Sequence, residues 1–152
     1  MANFSINKLS EEDIKRAYRF IYIFEKEVSN KFGTFDFENE EIEQFCNEHR
    51  IFKKTRRDTK PTDNYFWFNA KKPKNVRDND IAHNLLRRIR NAMAHGNFKK
   101  ERSKKAFYVL EDFDKNNKKT MYGRINADIF WNYLNIVLHS SPLIDDRINL
   151  NR

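Results

Sequence analysis

A chain of 152 residues with one cysteine, Cys46, is expected to form a single domain over 1–152 whose core needs neither a disulfide nor a cysteine-rich zinc site. The opening MANFSINKLSEED lacks an apolar run flanked by basic residues, and no stretch approaches the ~20 apolar residues of a membrane span, so a cytoplasmic protein without membrane contact is expected. The formal charge of +8 is unevenly spread: residues 1–52 hold 7 basic and 11 acidic side chains, residues 53–77 hold 9 and 2, and residues 87–105 hold 8 and 1, which points to a polyanionic partner.

Ser10 followed by Glu11, Glu12 and Asp13 reads as an N-cap with acids in the first turn, opening a helix that runs to about Phe32 and stops at Gly33. Ile14, Ala17, Tyr18, Ile21, Phe24, Val28 and Phe32 fall on one face at helical spacing. Phe20, Tyr22 and Ile23 lie outside it, so this helix asks for more than one partner, within the chain or in a subunit interface. A second helix is expected over about Glu38 to Phe52, with Ile42, Phe45, Cys46 and Phe52 inward and His49 at the core edge.

Residues 53–79 carry two prolines and no period, and read as an irregular basic connection. The run YFWF, Tyr65 to Phe68, sits inside it and is expected to plug that loop onto the body, with base stacking as the other reading. Asp78 or Asp80 would cap a third helix that ends by Gly96. AFYVLEDF and KTMYGRI then alternate around an Asn-containing turn, a β-hairpin signal. Ala127 to Ser140 forms the last helix, with Ile129, Phe130, Tyr133, Leu134 and Val137 inward, and 142–152 reads as a loosely ordered tail. The fold class expected is mainly α: a helical bundle with a small β-hairpin before the last helix.

The third helix holds the chemistry, in RRIRNAMAHGNF, Arg87 to Phe98. On a wheel, Ile81, Ala82, Leu85, Leu86, Ile89, Ala92 and Met93 fill an arc of about 140°, while His83, Arg87, Arg90, Asn91, Ala94 and His95 fill the opposite one. Arg87, Asn91 and His95 line up as a ridge. Arg90 and His95 lie about 140° apart around the axis and roughly 7.5 Å along it, so two such helices meeting across a two-fold axis could bring both pairs into one cleft.

No carboxylate pair, metal-ligand spacing or Gly-rich phosphate loop offers another chemistry. Histidine with arginine does suit cleavage of an RNA phosphodiester. The imidazole type moves the proton of a 2′-OH or of the leaving oxygen, and the guanidinium type holds the phosphate. Such a reaction needs no metal or other cofactor and is restricted to RNA, because DNA lacks the attacking hydroxyl. On spacing alone, a solvated helix face remains the other reading.

RNAMAH, Arg90 to His95, resembles the Arg-x4–6-His motif of HEPN (higher eukaryote and prokaryote nucleotide-binding) ribonuclease domains, with Asn91 as the polar residue after the arginine. The continuation GNF, the hairpin and the final helix look similar to short bacterial HEPN proteins associated with plasmids and defence loci. The resemblance is strong over about residues 80–140. It implies an antiparallel, up-and-down helical bundle that dimerises so that two motifs face each other. It also implies a metal-independent endoribonuclease that leaves a 2′,3′-cyclic phosphate. Arg90 and His95 would then be catalytic, with Asn91 assisting, and Lys99, Lys100 and Arg102 would contact phosphates; the wheel adds Arg87 and His83. The expectation is a homodimeric toxin or anti-phage effector that acts on tRNA or mRNA and is held by a possible antitoxin partner. The rival readings are a non-catalytic RNA- or nucleotide-binding regulatory module and a helical domain that meets an acidic protein.

Overall fold

The first helix, α1 (Glu11–Ile23), begins as its sequence dictates. Ser10 accepts from the Asp13 backbone N–H while the Asp13 carboxylate accepts from Ser10 N–H, a reciprocal capping box. In the computed structural model, which describes residues 9–31, 34–49, 51–54, 64–68, 81–102 and 104–151, α1 passes into a π-helical turn, Phe24–Val28, closed by Ser29 N–H to Phe24 O at 2.9 Å. The expected stop at Phe32 and Gly33 lies outside the described residues. The buried face keeps Ala17, Phe24 and Val28 of the expected stripe but turns away from its other side. Ala17, Phe20, Ile23, Phe24 and Val28 are buried, whereas Ile14 and Tyr18 are exposed. A helix with two apolar sides offers two candidate faces; Phe20 and Phe24 went inward, and Tyr18 and Tyr22, whose hydroxyls favour water, stayed outside.

Helix α2 (Glu40–His49) buries Ile42, Phe45 and Cys46 as expected and keeps His49 at the edge, its ring 4.3 Å from that of Phe45, but it ends short of the expected Phe52, which lies in a strand. Helices α3 (Ile81–Ala94) and α4 (Ala127–Leu138) follow their predicted spans closely. The Asp78 and Asp80 caps fall outside the described residues.

The expectation of a mainly α bundle is overturned. Strands β1 (Ile51–Lys54), β2 (Asn64–Phe68), β3 (Phe98–Arg102), β4 (Ala106–Phe113) and β5 (Lys119–Asn126) form one five-stranded sheet in the order β1-β2-β5-β4-β3. Strands β2 to β5 pair antiparallel and β1 joins parallel to β2, so the architecture is mixed α/β. The hairpin is present as β4–β5, but it is the centre of a sheet rather than an appendage.

Two of the added strands lie within the stretch expected to be irregular, residues 53–79, which β1 enters and β2 crosses. Tyr65, Phe66 and Trp67 are all buried. A strand buried on both faces reads as an unbroken apolar run rather than an alternation, which is why YFWF gave no strand signal. It is a pairing strand, in register with β5, and Phe66 lies across Gly123: a Cβ there would stand 2.5 Å from Phe66 Cδ1 and Cε1. Strand β3 escaped because FKKER is an edge strand whose sole buried side chain is Phe98.

The core fills the space between the helices and the sheet face carrying Phe66, Phe98, Tyr108, Leu110, Met121 and Ile125. The tail is also a correction. Ile144 and Leu150 are buried in that core, Leu150 N–H donates to Asn135 Oδ1 at 3.2 Å, and His139 Nε2 lies 2.7 Å from Ile148 O. Leu143, Ile144, Ile148 and Leu150 keep no single helical or strand period, so the pattern did not reveal this docking.

Candidate functional site

Helix α3 ends in a Schellman motif. Gly96, at φ +77°, supplies the left-handed residue; its N–H donates to Met93 O at 3.3 Å and Asn97 N–H to Ala92 O at 2.8 Å. Asn97 O then accepts from Glu111 N–H on β4 at 3.1 Å. His95 therefore stands at the C-cap, exposed, on a helix end fixed both by its own termination and by the sheet. Alongside lies a groove of 230 Å³ between α1 and the end of α3, lined by Ile14, Tyr18, Ile21, Met93, Gly96 and Phe98 among others.

One turn back, Arg90 is half-buried and both arms of its guanidinium are held. Nη1 donates to Asn91 Oδ1 at 2.9 Å, and Nη2 meets Glu25 Oε1 at 2.5 Å. Glu25 comes from the π-helical turn, an irregularity that recurs at functional sites. The Asn91 amide in turn donates through Nδ2 to Asp112 Oδ2 at 3.3 Å, and the same oxygen receives Arg88 Nη1 at 3.4 Å. Arg88 and Asp112 are both buried. A chain of polar contacts thus runs from the half-exposed Glu25 through Arg90 and Asn91 to a buried carboxylate on the sheet.

The remaining sequence-derived candidates are placed differently. Arg87 donates to Asn84 Oδ1 at 2.9 Å on its own helix. His83, assigned by the wheel to the open arc, is 2% exposed; its Nε2 lies 3.0 Å from Val28 O and 3.2 Å from Ser29 O, with the rings of Phe24 and Phe35 beside it. It joins α3 to the end of the first helix. The wheel counts one covered face, but α3 is covered by β4 on one edge and by the π-helical turn on another. Lys99 and Arg102 are exposed on β3. Lys100 turns inward to Asp13, Nζ to Oδ2 at 3.0 Å, with its ammonium over the Tyr108 ring.

Asp13 is itself buried, and it also accepts from the Tyr108 hydroxyl, which receives Trp131 Nε1–H at 3.0 Å. Burial alone would raise the Asp13 pKa. The bonds from Tyr108, Ser10 and Lys100 outweigh it, so the carboxyl sits below its ordinary value. Burial and the Asp13 bond push the Tyr108 hydroxyl upward.

Sequence reasoning missed Glu25, Arg88 and Asp112. Asp112 was detectable: it occupies an inward position of β4 in step with Tyr108 and Leu110, where an unpaired acid would be costly. Arg88 lies about 20° from the edge of the apolar arc, close enough to be covered. Nothing local marks Glu25.

Among the described residues no three of His, Cys, Asp and Glu cluster as metal ligands would, and no helix is long and apolar enough to cross a membrane. No curated protein and no solved structure matches the chain. The family model HEPN pEK499 p136 matches residues 14–143, a span that runs from α1 past α4 and contains every residue of the polar chain around Arg90. By that match the protein belongs to the HEPN domain family.

Proposed function

We propose that this HEPN protein is a metal-independent endoribonuclease with Arg90, Asn91 and His95 as its working residues. The carrying observation is the end of α3, where an exposed His95 follows, one turn later, a half-exposed Arg90 whose guanidinium is oriented by Asn91. Family membership supports the same reading, since HEPN domains are nucleotide-binding or ribonuclease modules.

In this reading Arg90 takes a phosphate oxygen by its Nη2 arm, displacing Glu25, while Nη1 stays on Asn91. The RNA 2′-OH attacks its own phosphorus. The P–O5′ bond breaks, and a 2′,3′-cyclic phosphate forms. His95 moves a proton at the attacking or leaving oxygen, and a second copy of α3 across a two-fold axis supplies the complementary His95. Lys99 and Arg102 add exposed positive charge next to the motif for the RNA backbone. The likeness to short HEPN proteins of plasmids and defence loci extends this proposal to toxin or anti-phage use, with tRNA or mRNA as target and an antitoxin as inhibitor.

The test is cleavage of end-labelled RNA in EDTA. Wild type should cut and leave cyclic phosphate ends. His95→Ala should lower the rate by about 10²–10⁴-fold with an unchanged circular dichroism spectrum. Cutting by clean His95→Ala protein at the wild-type rate overturns the assignment.

One observation favours a non-catalytic binding module instead. Arg90 is already ion-paired within its own chain, so in this conformation its fork is not open to phosphate. Salt-dependent RNA binding without turnover by the wild-type protein would select that reading.

A further inference from the structure

Asp112 is out of place on ordinary packing grounds. It is 1% exposed at an inward position of β4, yet Oδ1 has no hydrogen-bond partner, and its other oxygen is shared between Asn91 Nδ2 and Arg88 Nη1. A buried carboxylate held this loosely is costly to the fold, and an apolar side chain would serve the core better. The strand register breaks at this point. Asp112 pairs with Met121, but Phe113 pairs with Lys119, so a bulge sits directly after the acid. Bulges re-aim side chains and are enriched beside active sites.

We propose that Asp112 is a positioning residue of this site: by fixing the Asn91 amide it sets the orientation of the Arg90 guanidinium. An asparagine amide presents a donor on one side and an acceptor on the other. With Nδ2 anchored to a carboxylate, which only accepts, Oδ1 must face the opposite way, and that is where Arg90 Nη1 is found at 2.9 Å. Asp112 thereby fixes which way round Asn91 sits, and Asn91 fixes one arm of Arg90. The other arm is left to Glu25, whose side chain is 48% exposed and which substrate can displace. The sheet thus supplies the rigid half of the clamp and α1 the exchangeable half. A shift of about 1 Å in such a clamp is enough to slow a reaction by roughly 10²-fold.

The competing explanation is that Asp112 merely neutralises the buried Arg88. A double variant, Arg88→Met with Asp112→Leu, removes that need and leaves the core apolar. Two readouts are taken on full-length protein: kcat and KM for RNA cleavage, and the side-chain amide resonances of Asn91 by NMR. The kinetic arm rests on the ribonuclease reading above, whereas the NMR arm does not. If Asp112 positions Asn91, the double variant folds, kcat falls by about tenfold or more with KM within about twofold, and the Asn91 amide protons shift and exchange faster. A wild-type kcat with unmoved Asn91 resonances overturns the proposal.

Asp112→Asn is the second variant, used also if the double variant fails to fold. It keeps the shape and one acceptor oxygen, so the Asn91 resonances should stay near their wild-type positions and kcat should recover most of the loss. Asn91 resonances as displaced in Asp112→Asn as in an Asn91-uncoupled protein, here Asp112→Ala, count against the proposal. Should wild type cleave no RNA at all, the ribonuclease reading fails, and the Asn91 resonances alone decide the role of Asp112.

Discussion

Two polar clusters tie the first helical segment to the rest of the molecule, and both use an inward residue of β4. At the start of α1, Asp13 gathers Ser10, Lys100 and the Tyr108 hydroxyl, with Trp131 closing the far side. At the π-helical turn, Glu25 meets Arg90, then Asn91, Asp112 and Arg88. The first cluster is shut, with Asp13 at 5% and Tyr108 at 2% exposure. The second begins at a half-exposed carboxylate and ends at a buried oxygen without a partner. Each cluster joins a buried aspartate to a cation, but they differ in completeness. A closed cluster in low dielectric stabilises one arrangement, whereas an open one keeps a cation addressable by something outside.

That contrast breaks most visibly if each cluster loses its central charge. Arg90→Ala should reduce RNA cleavage by about 10²–10³-fold, the usual effect of removing one donor to a developing charge. Its stability should move little, because ion pairs this open to solvent contribute about 0–1 kcal/mol. Asp13→Ala should do the reverse. It leaves Lys100 and Tyr108 without their acceptor and strips the α1 cap, at a cost of about 3 kcal/mol. Cleavage per folded molecule should stay at the wild-type level. Urea denaturation beside single-turnover cleavage separates the two; a variant that loses both in proportion would mean the clusters are one unit.

Acid sharpens the same comparison more gently. The Asp13 pKa is lower in the folded protein than in the unfolded chain, where a carboxyl titrates near 3.9. Its contribution is therefore whole above about pH 4 and disappears as pH falls through the lowered folded value. The stability gap between wild type and Asp13→Asn, measured in urea, should be full at pH 7 and narrower at pH 3. A gap that widens on acidification would reverse the sign and remove Asp13 from the closed cluster.

What could be read from the sequence follows the same physical divide. Segments with one dominant buried face carry their period openly: α2 and the β4–β5 hairpin fell where a 3.6-residue repeat or alternation put them, and so did α3 apart from the second covered edge that takes His83. Segments covered on two sides do not. YFWF hid a strand because both its faces are buried, and α1 misled because Ile14 and Tyr18 offered an apolar stripe that the core did not use. In the candidate site, the placement of Arg90, Asn91 and His95 outside the core face of one helix was legible. His83 was not, since its burial comes from the backbone of Val28 and Ser29, more than fifty positions away in the chain. Glu25 arrives from another element and has no local mark; Asp112 shows its burial in its inward place on β4, but not its partners.

The smallest predicted effect tests what makes the second cluster open. Glu25 holds the Arg90 arm that a phosphate would use under the proposed function, so substrate and Glu25 would compete for the same cation. Glu25→Gln keeps the length and an acceptor oxygen but removes the negative charge that repels an incoming phosphate. An exposed pair of this kind contributes up to about 1 kcal/mol, which translates into RNA binding tighter by roughly 2–5-fold. Binding is best read in the His95→Ala background by fluorescence anisotropy of labelled RNA, so that cleavage does not interfere. The gain should shrink as salt rises, since screening already weakens the repulsion that the substitution removes. Equal or weaker binding by Glu25→Gln would mean that Glu25 supports Arg90 rather than competing for it, and the cluster at the end of α3 would then be as closed as the one around Asp13.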